Sequence, residues 1–324
     1  MSITLQAAPD DATWNSFVNA SAHGSVFCRA EFVKALGEDH ELLMLAENGN
    51  PKLGAVVIKQ GGQPIRAPYP MTMYQGVICC GDFQAMNCHK RSKWLLEHLT
   101  FLFAKMEERY DRISFCLFHK FDDLRGFQWF NYHEPQLGTF KIDLRYTGIL
   151  ELAGIQDFET YLTMVRAVRR QEYRKALGEG FTVEMSTDID LLNGLHKKTF
   201  ERQGIVRGGE EEQLLLNITG TALENGFGEL LVCRDKNGNP ASATLFLYDQ
   251  HYGYYLISAN DPDYRKSGCG TFLMMENIRR CLDKGLSGVD FVGINSPNRG
   301  DFKTSFNARP VPYYVVSWDR PILH

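Results

Sequence analysis

The densest chemical signal in the sequence lies between Tyr252 and Asp283. A β-prone run, Tyr252–Ala259, leads through Asn260-Asp261-Pro262-Asp263-Tyr264 into Arg265-Lys266-Ser267-Gly268-Cys269-Gly270. Beyond it Met274 or Met275, Ile278, Cys281 and Leu282 recur at helical spacing and form one apolar stripe. Strand, glycine-rich turn and helix N-terminus together make an anion site. Glycines let the backbone approach a phosphate, and first-turn N–H groups and the helix dipole face it. No Lys-Ser/Thr pair follows the last glycine, which excludes a P-loop, and GxGxxG spacing is absent.

A second group of candidates flanks this segment. Lys303 follows the turn-rich Asn295-Ser296-Pro297-Asn298-Arg299-Gly300. Its ammonium suits an oxyanion or a phosphate, and a surface lysine between Phe302 and Phe306 is the alternative. Asp290, ahead of an apolar run, reads as a base or as an anchor for local backbone. Arg166, Arg169, Arg170 and Tyr173 fall at i, i+3, i+4 and i+7, with Arg174 beside them. That face is either solvated or a grip on phosphates. Tyr74, in the turn-rich stretch Tyr69–Gly76, is a candidate substrate contact.

The elements that must position these residues come in two copies. Asn48-Gly49-Asn50-Pro51 recurs as Asn237-Gly238-Asn239-Pro240, each time between two β-prone runs, and Asn-Gly in that setting predicts a hairpin. Each hairpin follows helical sequence and is followed by more strand, an amphipathic helix and a short strand. The helix and strand are His89–Arg109 and Arg112–Phe118 in the first copy, Gly268–Asp283 and Gly288–Val292 in the second. Two copies of one α/β unit follow, and 324 residues at roughly 150 per domain agree. The seam is placed near residue 150, giving units 1–150 and 151–324. After a strand Thr139–Leu144, Asp157 caps a long helix predicted to run to Leu177, stopped by Gly178 and Gly180.

Composition excludes several classes. Hydrophobic residues at 44% and charged residues at 23% are ordinary for a globular chain. Residues 1–150 carry 15 Lys and Arg against 16 Asp and Glu, and the remainder 20 against 23, so no basic half marks a duplex-DNA binder. No apolar run approaches the roughly 20 residues of a membrane span, and the N-terminus lacks a signal-peptide pattern. The eight cysteines include no CxxC pair, so no metal site is predicted. A reduced, cytoplasmic chain is the expectation.

Two resemblances refine these readings. Arg265, Gly268 and Gly270 match the Gln/Arg-x-x-Gly-x-Gly/Ala acyl-CoA loop of the GNAT acyltransferases. Val289-Asp290-Phe291-Val292-Gly293, then Phe302-Lys303-Thr304-Ser305-Phe306-Asn307, then Pro312-Tyr313-Tyr314 resembles the C-terminal signature of the FemAB-like branch. Asn307 stands where that branch has glycine, and Asn is the residue that best tolerates positive φ after glycine. The resemblance implies an α/β (α+β) fold of two tandem GNAT-like domains, each a mixed, largely antiparallel sheet flanked by helices. The first copy has no counterpart of the acyl-CoA loop and is expected to bind the acceptor or to act as scaffold.

The resemblance further implies an N-acyltransferase that moves an acyl group from acyl-CoA (acetyl-CoA or longer) to an amine. The acceptor would be a small-molecule amine, a nucleotide-linked amino sugar or a peptide precursor of the cell envelope. It places the donor carbonyl on the strand end at Ile257 and Ser258, the CoA phosphates on Arg265, Lys266, Ser267, Gly268, Cys269 and Gly270, and catalysis on Lys303, Tyr313 and Asp290. Tyr313 or Tyr314 would protonate the leaving thiolate, or pack as an edge-strand pair. Arg166, Arg169, Arg170, Tyr173 and Tyr74 would meet the substrate. No Ser-His-Asp or Cys-His spacing is apparent, which favours direct transfer. An aminoacyl-tRNA-dependent ligase and a non-catalytic binding protein on the same scaffold are the alternatives.

Overall fold

The computed structural model of the chain describes residues 2–202, 204–205 and 208–322. Two compact units emerge: Met1–Arg145 with Pro312–His324, and Tyr146–Val311.

The first unit holds β1 (Ile3–Ala7), α1 (Asp11–Ala20), α2 (Ala30–Ala35), β2 (Asp39–Glu47), β3 (Asn50–Gln60), β4 (Gln63–Pro64), β5 (Val77–Cys79), α3 (Cys88–Glu107), β6 (Arg112–Cys116) and α4 (Arg125–Gln128). Asp10 caps α1 by accepting from the Thr13 N–H at 2.7 Å. The Asn-Gly turn works as its residue types require: Asn48 and Gly49 both have positive φ, and Glu47 pairs directly with Asn50. In α3 the buried residues Leu95, Leu99, Leu102, Phe103 and Met106 keep helical spacing and meet Leu43, Leu45, Leu53 and Val57 of β2 and β3.

The chain leaves this unit within β7 (Lys141–Glu151). The second unit continues with α5 (Phe158–Met164), α6 (Ala167–Gly178), β8 (Thr182–Ser186), α7 (Ile189–Glu201), α8 (Gly209–Glu224), β9 (Gly228–Arg234), β10 (Pro240–Tyr248), β11 (Tyr252–Asn260), α9 (Cys269–Asp283), β12 (Gly288–Asp290) and α10 (Pro297–Thr304). β13 (Arg309–Asp319) carries the chain back to the first unit. From β7 the strand order in the second unit is β7-β12-β11-β10-β9-β8. Every pairing is antiparallel except β11 with β12, the two strands joined through α9. One apolar face of α9, with Phe272, Met275 and Ile278, closes the core over this sheet.

Three expectations change. The first unit is discontinuous: Val315–Asp319 of β13 pair with Arg112–Cys116 of β6, so the chain beyond residue 311 does not belong to the second unit as the seam at 150 implied. The second Asn-Gly repeat is a hairpin of different geometry. Asp235 Oδ1 accepts the N–H groups of Asn237 and Asn239, and the loop spans Arg234 to Pro240. The helix predicted over 157–177 breaks at Val165 and Arg166, both extended. The Arg166 N–H donates to the Ser305 carbonyl at 3.1 Å, a tertiary bond that overrides helix propensity in a segment without Gly or Pro. Among the described residues no helix is long and apolar enough to cross a membrane.

Candidate functional site

The site starts where two strands part. β11 and β12 pair in parallel only from Tyr252↔Gly288 to Tyr254↔Asp290. On its other edge β11 stays paired to β10 as far as Asn260↔Ser242, with a bulge at Leu256. The edge from Tyr255 to Asn260 therefore opens away from β10. Which backbone groups point into the opening follows from two observations. Asp261 donates its N–H to Ala241 on the β10 side. Asn260 turns the opposite way: its N–H donates to Thr199 Oγ1 at 3.0 Å, and its carbonyl accepts from the same hydroxyl at 3.1 Å. With a two-residue period, the Ser258 amide turns the same way as that of Asn260, into the opening.

The turn after β11 is built for close approach. Asp261 accepts from the Asp263 N–H and from Lys198 Nζ, fixing the start of the turn. Gly268 has φ +85°, and a Cβ there would lie 2.5 Å from the Glu172 carbonyl oxygen on α6, so glycine is required twice over. Gly268 is also the N-cap of α9 and has no side chain of its own to cap with, while the Ser267 hydroxyl accepts the Cys269 N–H at 3.1 Å. The first turn beyond it, at Gly270 and Thr271, borders a cavity of about 420 Å³ also lined by Arg169, Arg202 and Arg265. Glu172 stands at its rim and accepts from Arg169 Nη1 and from the Thr271 hydroxyl, both at 2.6 Å.

A second cavity of about 510 Å³ shares Thr199, Arg202, Asn260, Arg265, Gly270 and Phe302 with the first. It adds Ser258, His196, Arg299 and Lys303. Lys303 projects from α10 and donates to the carbonyls of Val292 and Gly293, each at 2.8 Å. Its ammonium lies 5.7 Å from the Tyr255 ring centroid. Burial lowers its pKa to about 8; the Asp290 charge opposes that shift and Arg299 adds to it. Two of its three N–H donors serve carbonyls, and one remains for a ligand.

Residues 163–304 match the family model described as "Acetyltransferase (GNAT) domain". The fold of the whole chain is similar to the crystal structure of FemX, with a TM-score of 0.71 at 14% identity over 97% of both chains. It is also similar to a tandem GNAT protein from the clavulanic acid biosynthesis pathway, with a TM-score of 0.54 at 11% identity over 100% of this chain and 99% of that one. The chain has a FemX-like, tandem-GNAT fold, with a GNAT domain over residues 163–304. L-PGS from Bacillus licheniformis shares the fold at a TM-score of 0.55 and 13% identity, over 98% of this chain and 94% of that one. No curated protein matches the chain by sequence.

Within the GNAT domain the predicted residues divide. Ile257, Ser258, Arg265, Gly268, Cys269 and Gly270 line the joined cavities. Cys269 does so by its backbone, since its side chain is buried and burial raises its thiol pKa. Ser267 caps the Cys269 N–H, and Lys266 is engaged through its carbonyl, which accepts from Lys175 Nζ. Asp290 is fully buried, and its Oδ1 accepts from the Val292 N–H and the Thr147 hydroxyl. It positions the Lys303 turn rather than facing the cavity.

The arginine stripe does not survive the helix break. Arg166 pairs with Asp301 at 2.9 Å. Arg170 donates to the carbonyls of Val165 and Thr163, closing the C-terminus of α5. Tyr173 is buried between Phe158 and Phe272. Only Arg169 of the four lines the cavity, its guanidinium 4.6 Å from the Phe302 ring centroid. Tyr74 and Tyr313 belong to the first unit, where both are buried and their rings meet edge to face at 5.8 Å.

Sequence reasoning missed His196, Thr199 and Arg202, which the α7 segment brings to the joined cavities. They lie more than 50 residues before the turn, and no local motif marks them.

Proposed function

We propose that this acyltransferase moves an acyl group from acyl-CoA to a primary amine carried by an amino-sugar or peptide precursor of the cell envelope. The observation that carries the reading is the succession along one opened strand. The Ser258 amide turns into one cavity, and seven residues later the Arg265–Thr271 turn begins to present backbone N–H groups to the adjoining one. In this reading Ser258 holds the thioester carbonyl, and the first turn of α9 with Arg265 and Arg169 holds the pyrophosphate. Lys303 faces the negative charge that develops on the carbonyl oxygen. The second unit carries the donor, and the first serves the acceptor or as scaffold. Calorimetry against acetyl-CoA, longer acyl-CoAs and UDP-amino sugars tests this. Binding of at least one CoA ester is expected, and no affinity for any of them overturns it.

A second reading keeps the chemistry and changes the donor to aminoacyl-tRNA. The observation in its favour is the number of cations along the joined cavities, where Arg299 and Lys303 extend the row formed by Arg169, Arg202 and Arg265 beyond the glycine turn. A gel-shift titration with aminoacylated and uncharged tRNA distinguishes the two donors.

A further inference from the structure

An amine meets a thioester as its ammonium form at neutral pH, so a proton must leave before the nitrogen can attack. The donor cavity therefore needs a group that accepts a proton, and the lining narrows the choice. Among the described residues around the 510 Å³ cavity there is no Asp and no Glu. Its ionisable side chains are His196 from α7, Arg202 just after it, Tyr255 from β11, Arg265 from the turn, and Arg299 and Lys303 from α10. The other elements packed on α7, α8 and β10, contribute none to this lining.

Arginine holds its proton at any working pH. Tyr255 is excluded because burial pushes its phenol up to about 12. Lys303 is already committed through its ammonium to the Val292 and Gly293 carbonyls, which bind the charged form. One imidazole is left. His196 is buried, and its ring meets Phe200 at 4.8 Å in an edge-to-face arrangement that fixes its plane. It shares the cavity with Ser258, which holds the carbonyl in the reading above.

We infer that His196 is the general base that deprotonates the acceptor amine in this cavity. The inference rests on the acyl-CoA reading and completes its proton balance. His196 takes one proton from the R-NH3+ group, and the freed lone pair forms the C–N bond to the thioester carbon. The tetrahedral intermediate then collapses: the C–S bond breaks, its electron pair leaves with the CoA sulfur, and the second nitrogen proton is released as that thiolate is protonated. The products are the amide and the free thiol, with no other reactant.

The experiment compares wild type, His196→Gln and His196→Ala by thiol release from acetyl-CoA with two acceptors, after calorimetry has measured acetyl-CoA affinity for each protein. Ethanolamine is mostly protonated at pH 7 and needs a base, whereas hydroxylamine is mostly neutral and does not. His196→Gln should bind acetyl-CoA within about twofold of wild type and lose about 10²-fold in kcat with ethanolamine. The loss should shrink to about threefold with hydroxylamine, the acid limb of the pH–rate profile should disappear, and added imidazole should restore part of the rate of His196→Ala. Equal losses with both amines, or an unchanged pH profile, would make His196 a packing residue and overturn the inference while the acyl-CoA reading stands. A wild type that binds acetyl-CoA and acetylates neither amine overturns the inference also. A wild type with no acetyl-CoA affinity overturns both.

Discussion

Lys303 Nζ lies 2.8 Å from the carbonyl oxygen of Val292, and Val292 is a β-branched residue held at φ +52°. A branched side chain in the left-handed region costs on the order of 1–3 kcal/mol. The cost is met locally: Asp290 Oδ1 takes the Val292 N–H at 2.8 Å, and the Thr147 hydroxyl takes the Gly293 N–H at 3.2 Å. The strained turn aims two successive carbonyls at one ammonium, which fixes the charge beside the 510 Å³ cavity.

Replacing that charge should therefore affect the reaction more than the fold. Lys303→Met keeps the stem and removes the ammonium. We expect kcat to fall about 10²–10³-fold with KM little changed, as for loss of an oxyanion donor. Steady-state kinetics check this, and a rise in KM alone would make Lys303 a phosphate ligand.

The rate should also depend on pH through the same group. With its pKa lowered to about 8, chiefly by burial, the Lys303 ammonium is lost as pH rises through that value, and activity falls with it. Asp290 opposes the shift, so Asp290→Asn should move the alkaline limb to lower pH. The stability effect has the opposite sign. Between about 8 and the ordinary lysine value of 10.5 the unfolded chain binds more protons at this site, so its contribution to stability rises with pH. Denaturant midpoints across pH 7–10 for wild type and Lys303→Met read this slope.

The two glycines of the turn should differ. Gly268→Ala meets both a φ of +85° and the Glu172 backbone 2.5 Å away, and should cost about 1–3 kcal/mol as well as ligand affinity. Gly270→Ala meets only the Asn260 side-chain amide at 2.7 Å, which can rotate, and should fold with a midpoint close to wild type. Thermal melts with and without acetyl-CoA separate the two effects.

The first unit carries its own acid sensitivity. His23 packs between Phe83 and Phe121, at 5.5 and 5.0 Å, and burial lowers its pKa to about 4. Between that value and the ordinary 6.5 the unfolded chain binds the extra proton, so stability falls as pH falls through the window. The loss amounts to on the order of 3 kcal/mol by pH 4. His23→Phe should flatten this dependence, as urea unfolding at pH 7 and pH 5 will show.

The glycine turn was legible because it is local: strand, Arg265, Gly268, Gly270 and helix follow one another, and the backbone at Gly268 requires glycine. The hairpins were legible for the same reason. The break at Val165–Arg166 was not, because the Ser305 carbonyl that causes it lies about 140 residues away. Arg170 looked like a free cation because helical spacing assumes a continuous helix. Tyr74 and Tyr313 looked chemical by type, and only packing shows them ring to ring in a core. His196 carried no signal at all, since a single histidine on an amphipathic helix acquires meaning only from the strand it is packed against.

The return of the chain through β13 has a consequence for how the protein is made. β6 emerges from the ribosome about 200 residues before Val315–Asp319, the strand segment it pairs with. The first unit must wait with β6 unpaired on that edge, and with Val316 and Trp318 absent from its core, while Tyr146–Val311 is synthesised as one continuous piece. Domains fold as units when their sequence is complete. The half begun first is the half finished last.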